Sequence, residues 1–113
     1  MNTRHIGYMV SLVAALALSP AASAADGKTV FESTCAACHG NKGQGTAGMA
    51  PALKGDPFVI KSSIADIENT IQNGRSGAKK KYPDIHMDMP AWHLPEADLK
   101  AVVAYLRGDL QKP

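Results

Sequence analysis

The sequence contains only two cysteines, Cys35 and Cys38, among its 113 residues. These two cysteines lie close together, and no further thiol is left for a disulfide framework. The formal net charge is only +2, and this near-neutral balance argues against nucleic acid as a partner. Internal repeats and low-complexity runs are also absent. A chain of this length has room for one small domain.

The sequence also lacks an apolar run long enough for a comfortable membrane span, because its longest such stretch covers only residues 6–18. Arg4 precedes this stretch and Pro20 follows it. Ala22-Ser23-Ala24 then matches the small-x-small pattern of a signal peptidase site. We therefore predict a cleaved secretory signal at residues 1–24, with an uncleaved anchor as the alternative.

Cleavage after Ala24 would leave residues 25–113, which are 89 of the 113 residues. Loss of the single charged residue of the signal, Arg4, lowers the formal charge from +2 to +1. The mature domain is expected to lie outside the cytoplasm, in a periplasm, with no membrane span of its own.

The most informative stretch is Cys35-Ala36-Ala37-Cys38-His39, which matches the C-x-x-C-H pattern of c-type haem attachment. Thiols at this spacing fall on one side of a helical turn, where each can add to a vinyl group of the same porphyrin. The following histidine is then carried under the ring and can bind the iron. The pattern predicts one haem c, covalently held by Cys35 and Cys38, with His39 as the first axial ligand.

Two other site types use paired cysteines. A thioredoxin-like dithiol needs a strand–helix–strand setting, and no convincing strand run lies beside Cys35. A zinc site needs four ligands, and the remaining histidines, His5, His86 and His93, do not supply a second pair at a suitable spacing.

The glycine-rich stretch 40–55 lacks the order of a phosphate-binding loop, and its glycines suit close approach of the backbone to a flat cofactor.

A second ligand for the iron is expected from the segment around Met89. A thioether is a good neutral ligand, and histidine–methionine ligation raises the reduction potential. Pro90 stiffens this segment and keeps it from becoming a helix. Met87 lies two residues earlier and can compete, and His86 is also within reach. The alternative for a methionine is a core-filling role.

Three helices are predicted. The first runs from about Asp26 or Gly27 to the haem motif, the second over Ser62–Asn73, and the last from Pro95 to Gly108. Between the last two, Lys79-Lys80-Lys81 is interpreted either as a solvated loop or as a positive patch for an acidic redox partner.

Taken together, these residues resemble class I cytochrome c, the small soluble monohaem electron carriers. The resemblance covers nearly the whole mature chain, and the matching residues occur in the family's order and spacing. They are Gly27 and Phe31 before the haem motif, Pro51-Ala52-Leu53 after it, Met89-Pro90-x-Trp92, and Val102-Val103-Ala104-Tyr105-Leu106.

The resemblance implies an all-α class I cytochrome c fold with three to four helices around one covalently bound haem. The Pro51 carbonyl would accept a hydrogen bond from His39, which fixes the imidazole tautomer. Met89 would be the distal ligand, so His39 and Met89 would hold the metal. The implied cofactor-binding residues are Cys35, Cys38, His39, Pro51, Leu53, Met89 and Trp92. Gly27 and Phe31 would meet Val102 and Tyr105 where the first and last helices cross.

The implied function is one-electron transfer in the periplasm without substrate chemistry, so the protein is not expected to be an enzyme. Its partners would be a redox protein donor and acceptor, met as a monomer or in a transient complex. One alternative is a dedicated haem c subunit of a periplasmic dehydrogenase or sulfur-oxidising complex. Another is an open-site haem enzyme or gas sensor, which requires that neither Met87 nor Met89 binds iron.

Overall fold

The structure is a computed structural model that describes residues 11–14 and 25–113. The predicted signal occupies residues 1–24, so most of it, at residues 1–10 and 15–24, lies outside the described residues. The described part of the chain contains no helix with the length and apolar character needed to cross a membrane.

Helices provide the regular structure of the described residues, and β pairing there is confined to two isolated bridges, Thr46 with Ala50 and Arg75 with Met89. The helices are α1 (Gly27–Val30), α2 (Ala36–His39), α3 (Pro57–Lys61), α4 (Ile64–Asn73) and α5 (Glu96–Arg107). A π-helical turn, Phe31–Cys35, joins α1 to α2, and 3-10 turns cover Gly77–Lys79 and Asp109–Gln111. The prediction of an all-α fold is confirmed.

The ends of α4 and α5 lie close to the predicted ones. The Ser63 side chain caps α4 by accepting a hydrogen bond from the Asp66 N–H at 3.1 Å, and Gly74 follows its last residue. Pro95 was predicted as the first helical residue of α5, but it is the N-cap and the helix begins one residue later. Its extended ψ of 146° keeps Pro95 outside the helix.

Helix α3 was not predicted, although its start carries a recognisable signal. Asp56 caps it by accepting hydrogen bonds from the N–H groups of Phe58 and Val59 at 2.9 and 3.2 Å. Pro57 occupies the first helical position, where its fixed φ and missing N–H are tolerated. Helix α3 is only five residues long, too short for an apolar periodicity to indicate it.

The core forms where the first helical segment crosses α5. Phe31 is fully buried, and its ring centroid lies 5.4 Å from that of Tyr105. Val102 is also fully buried in the same cluster. A Cβ on Gly27 would overlap the Ala101 carbonyl oxygen and lie 2.7 Å from the Tyr105 Cβ. The predicted contact of Gly27 and Phe31 with α5 is therefore confirmed, and the close crossing depends on the missing side chain.

Candidate haem-binding site

One cleft contains all the residues that the sequence predicts for cofactor binding. The space between its walls is about 1090 Å³ when the solvent at its open side is included. The predicted residues that line it are Cys35, Cys38, His39, Pro51, Leu53, Met89 and Trp92. Met87, the competing thioether, lines it as well.

Cys35 and Cys38 enter the cleft from a helix that changes its winding at this point. The N–H of Ala36 donates to the carbonyl of Phe31, five residues earlier, so the turn before the motif is π-helical. Both thiols are free. Burial, and to a smaller extent the nearby Cys38, raises the pKa of Cys35 to about 11. Reactive dithiols have lowered pKa values instead, so this environment does not favour the thioredoxin-like alternative.

His39 is the one buried polar residue of the described chain, with 8% of its surface exposed. Its Nδ1 lies 2.8 Å from the Pro51 carbonyl oxygen. Because a carbonyl only accepts, Nδ1 carries the hydrogen and Nε2 keeps its lone pair for a metal. Burial lowers the pKa of His39, although the Pro51 hydrogen bond acts in the opposite direction. A neutral imidazole with a fixed tautomer is the form that binds iron.

The segment 87–92, called the distal strap below, lies against the end of α4. Met89 and Arg75 exchange two backbone hydrogen bonds, and the N–H of Trp92 donates to the Ile71 carbonyl at 2.9 Å. A Cβ on Gly74 would overlap the Met89 carbonyl oxygen. The strap can therefore approach the helix closely only because residue 74 is glycine.

The two methionines of the distal strap differ in their surroundings. Met89 is half-buried and packs against the hydrophobic core, whereas 51% of the Met87 surface is exposed. Trp92 is also open to solvent, with 38% of its surface exposed at the rim of the cleft.

Sequence reasoning missed a polar group at one end of the cleft. The Arg75 guanidinium and the Lys81 ammonium lie 4.3 and 4.2 Å from the centroid of the Phe58 ring, within the range of cation–π contacts. The Tyr82 hydroxyl donates a short hydrogen bond to Asp56, which also caps α3. Asp56 before Pro57 is a recognisable cap signal, but nothing in the sequence indicates that Arg75 or Tyr82 reaches the cleft.

The three adjacent lysines do not form a uniform surface. Lys79 is exposed, while Lys81 lies over Phe58. Lys80 is partly buried, and its Nζ lies 3.4 Å from an Asp88 carboxylate oxygen. Neither of the two interpretations, a solvated loop or a positive docking patch, describes all three side chains.

The residues of the cleft fit a haem. Two adjacent thiols and an available imidazole nitrogen are the groups that covalent attachment and axial ligation need. A haem also carries two propionate carboxylates, and within the described residues neither Arg75 nor Lys81 has a carboxylate partner in a salt bridge. These two cations can therefore balance that charge without losing an existing ion pair.

Comparison with known proteins identifies the family. The family model for cytochrome c matches residues 24–108. The chain is 31% identical over 117 aligned residues to the cbb3-type cytochrome c oxidase subunit CcoP of Azospirillum brasilense. This alignment covers 96% of this chain and 36% of that protein. It is 34% identical over 88 residues to subunit FixP of Bradyrhizobium diazoefficiens, covering 75% of this chain and 27% of the relative. The chain thus spans about a third of the length of these curated relatives.

A solved structure shows the same fold. The c-type cytochrome XoxG of Methylobacterium extorquens AM1 matches with a TM-score of 0.56 and 23% identity, over 75% of this chain and 48% of that one. The family match, the two thiols and the histidine at the cleft lead to one conclusion. This chain belongs to the cytochrome c family and is an electron-transfer protein that binds haem c covalently through Cys35 and Cys38.

Proposed function

We propose that this protein is a periplasmic one-electron carrier in which His39 and Met89 are the axial ligands of a single haem c. The observation that carries the proposal is the exchange of two backbone hydrogen bonds between Met89 and Arg75, which holds Met89 in a cleft that His39 also lines. When bound, the haem supplies a one-electron couple between its ferric and ferrous states.

The protein residues set the properties of that couple. The hydrogen bond from His39 to the Pro51 carbonyl increases the basicity of the proximal ligand. A neutral thioether from Met89 raises the reduction potential relative to a second imidazole. Because both the N–H and the C=O of Met89 are hydrogen-bonded to Arg75, we expect the ligand to keep its place in both oxidation states. This arrangement keeps the reorganisation small and leaves no iron position for oxygen, so the protein performs no substrate chemistry of its own.

Electrons would pass at the open side of the cleft. Met87 and Trp92 are the exposed apolar side chains there, and a redox partner can dock on such a rim in a small, short-lived contact. Export to the periplasm is supported by the Ala22-Ser23-Ala24 pattern after a short apolar run.

A second candidate function is that of an electron-transfer subunit in a larger redox complex. Its support is that the curated relatives are subunits of cbb3-type oxidases. Purification of the native protein under mild conditions distinguishes the two: a carrier runs as a single small species, and a subunit runs with its partners. The mass of the same preparation tests cleavage after Ala24, since an uncleaved anchor would keep residues 1–24 and direct the protein to the membrane fraction.

The ligand assignment is tested by proton NMR of the reduced, haem-loaded protein. The ring current of the haem shifts the methyl group of a bound thioether far upfield. We expect one such signal, lost in Met89→Leu and kept in Met87→Leu. A signal lost only in Met87→Leu would transfer the role to Met87. Absence of any such signal in the wild type, with rapid carbon monoxide binding, would support the open-site haem enzyme or gas sensor.

A further inference from the structure

Lys80 differs from the other lysines that form ion pairs. Only 22% of its side chain is exposed, against 65% for Lys100, which pairs with Glu96 on the surface of α5. Its Nζ donates a hydrogen bond of 2.9 Å to the carbonyl oxygen of His86 and lies 3.4 Å from the Asp88 carboxylate. A single ammonium thus contacts the chain at two residues that are two positions apart.

The residue between these two contacts is Met87. Met87 and Met89 both line the cleft, so either thioether can compete for the iron. Which of the two sulfur atoms lies nearer the iron depends on how residues 86 to 89 are held.

We propose that Lys80 is a positioning residue that excludes Met87 from the iron and so gives Met89 the sixth position. This inference rests on the proposed His39–Met89 ligation. The N–H of His86 also donates to the Gly48 carbonyl at 3.2 Å, so residue 86 is held from both its amide and its carbonyl. With Met89 paired to Arg75, anchors lie on both sides of Met87, whose surface remains 51% exposed.

The hydrogen bond to His86 is the stronger of the two contacts. A charged donor makes a stronger hydrogen bond than a neutral one, and the Lys80 side chain is mostly removed from water. The ion pair is longer, and 62% of the Asp88 side chain is exposed, so that contact contributes less. Loss of the Lys80 ammonium would release residues 86 to 88 together, while the pairing of Met89 with Arg75 would remain.

The test counts thioether methyl signals in reduced, haem-loaded variants. Lys80→Leu removes the ammonium and adds no thioether, and Lys80→Arg keeps a charged donor. Lys79→Leu is the matched control, because Lys79 is the exposed neighbour. We expect a second signal, about a tenth or more of the total intensity, in Lys80→Leu alone. The double variant Lys80→Leu with Met87→Leu should return to a single signal.

The double variant separates positioning from a general effect on the fold. A single Met89 signal in Lys80→Leu would overturn the proposal, as would a loss of thioether signals that Met87→Leu does not reverse. If Lys80→Leu fails to accumulate, Lys80→Ala, which also lacks the ammonium, replaces it, and the same two outcomes support or overturn the proposal. A wild-type signal assigned to Met87 would instead mean that the ligand assignment itself is wrong.

Discussion

Arg75 and Met89 exchange two backbone hydrogen bonds, with N···O distances of 3.0 and 2.9 Å. Such a pair satisfies both the donor and the acceptor of each residue and fixes their relative position. The neighbouring hydrogen bond from Trp92 to Ile71 extends the attachment to the last turn of α4. The backbone of the predicted distal ligand is therefore fixed by pairing to the residues at the end of α4, while its side chain packs against the hydrophobic core.

Gly74 should be essential to this attachment. Its φ is +67°, and a Cβ at this residue would overlap the Met89 carbonyl oxygen and lie 2.8 Å from the Pro90 carbonyl carbon. We expect Gly74→Ala to displace the strap, weaken or abolish the Met89 methyl signal, and lower the free energy of unfolding by more than the ~1–3 kcal/mol of backbone strain alone. Proton NMR and urea denaturation measure the two effects.

The matched control is Gly77→Ala. Gly77 also has a positive φ, +53°, but an added Cβ would meet nothing within 4 Å. Gly77→Ala should lower the free energy of unfolding through backbone strain alone, and the thioether methyl signal should remain. Equal effects of the two substitutions on that signal would contradict a specific role for Gly74.

The sequence could predict the proximal half of the site because its residues are adjacent in the chain. Cys35, Cys38 and His39 occupy one stretch of five residues, and their chemistry is defined by spacing alone. The Met89-Pro90 pair also predicts Met89 as the distal ligand ahead of Met87, and this assignment stays a prediction. The two differ in backbone pairing to Arg75, a contact between residues 14 positions apart that has no sequence pattern.

Other features of the cleft depend on tertiary structure in the same way. The pairing of Asp56 with Tyr82 joins residues that lie 26 positions apart. Lys80, with only 22% of its side chain exposed, departs from the usual expectation that a run of lysines is solvated. The π-helical turn Phe31–Cys35 was missed for another reason. A π-helical turn contains one more residue than an α-helical turn, and this helical segment is too short for the resulting shift of the apolar pattern to be recognised.

Gly27→Ala should destabilise the crossing of the first and last helices. An added Cβ would overlap the Ala101 carbonyl oxygen and lie 2.7 Å from the Tyr105 Cβ, so α1 must move away from α5. We expect a decrease of about 1–3 kcal/mol in the free energy of unfolding, measured by urea denaturation. Lys28→Ala, at the exposed next position, is the control and should change stability little. A Gly27→Ala variant as stable as the wild type would contradict this prediction, because it would show that α1 can move away from α5 without a loss of stability.

Arg75→Met should lower the reduction potential. Reduction adds one negative charge to the haem, and the cationic side chain of Arg75 lines the cleft, so it favours the reduced form. Loss of this charge should lower the potential by an amount on the order of tens of mV. A redox titration measures the change, with Lys79→Met as the control for an exposed charge. An unchanged or higher potential in Arg75→Met would mean that solvent or another cation screens this position.

Tyr82→Phe should change the alkaline stability of the protein. Burial, and then the hydrogen bond to Asp56, raises the pKa of Tyr82 from 10.0 to about 12. Below pH 10 the phenol is neutral in both the folded and unfolded states, and its stabilising effect is fully present. Between pH 10 and about 12 the unfolded chain loses the phenolic proton first, so the stability from this group is lost as the pH rises.

The variant should therefore be less stable than the wild type at neutral pH, by about 1 kcal/mol for the missing hydrogen bond. The difference between the two proteins should shrink as the pH rises from 10 towards 12. Urea denaturation at pH 7 and at several values in that window measures both effects. Tyr105→Phe is the control, because the ring of Tyr105 packs on Phe31. A constant difference in stability between the wild type and Tyr82→Phe from pH 10 to 12 would contradict this prediction. It would mean that the pKa of Tyr82 is the same in the folded and unfolded states, so that the hydrogen bond to Asp56 does not raise it.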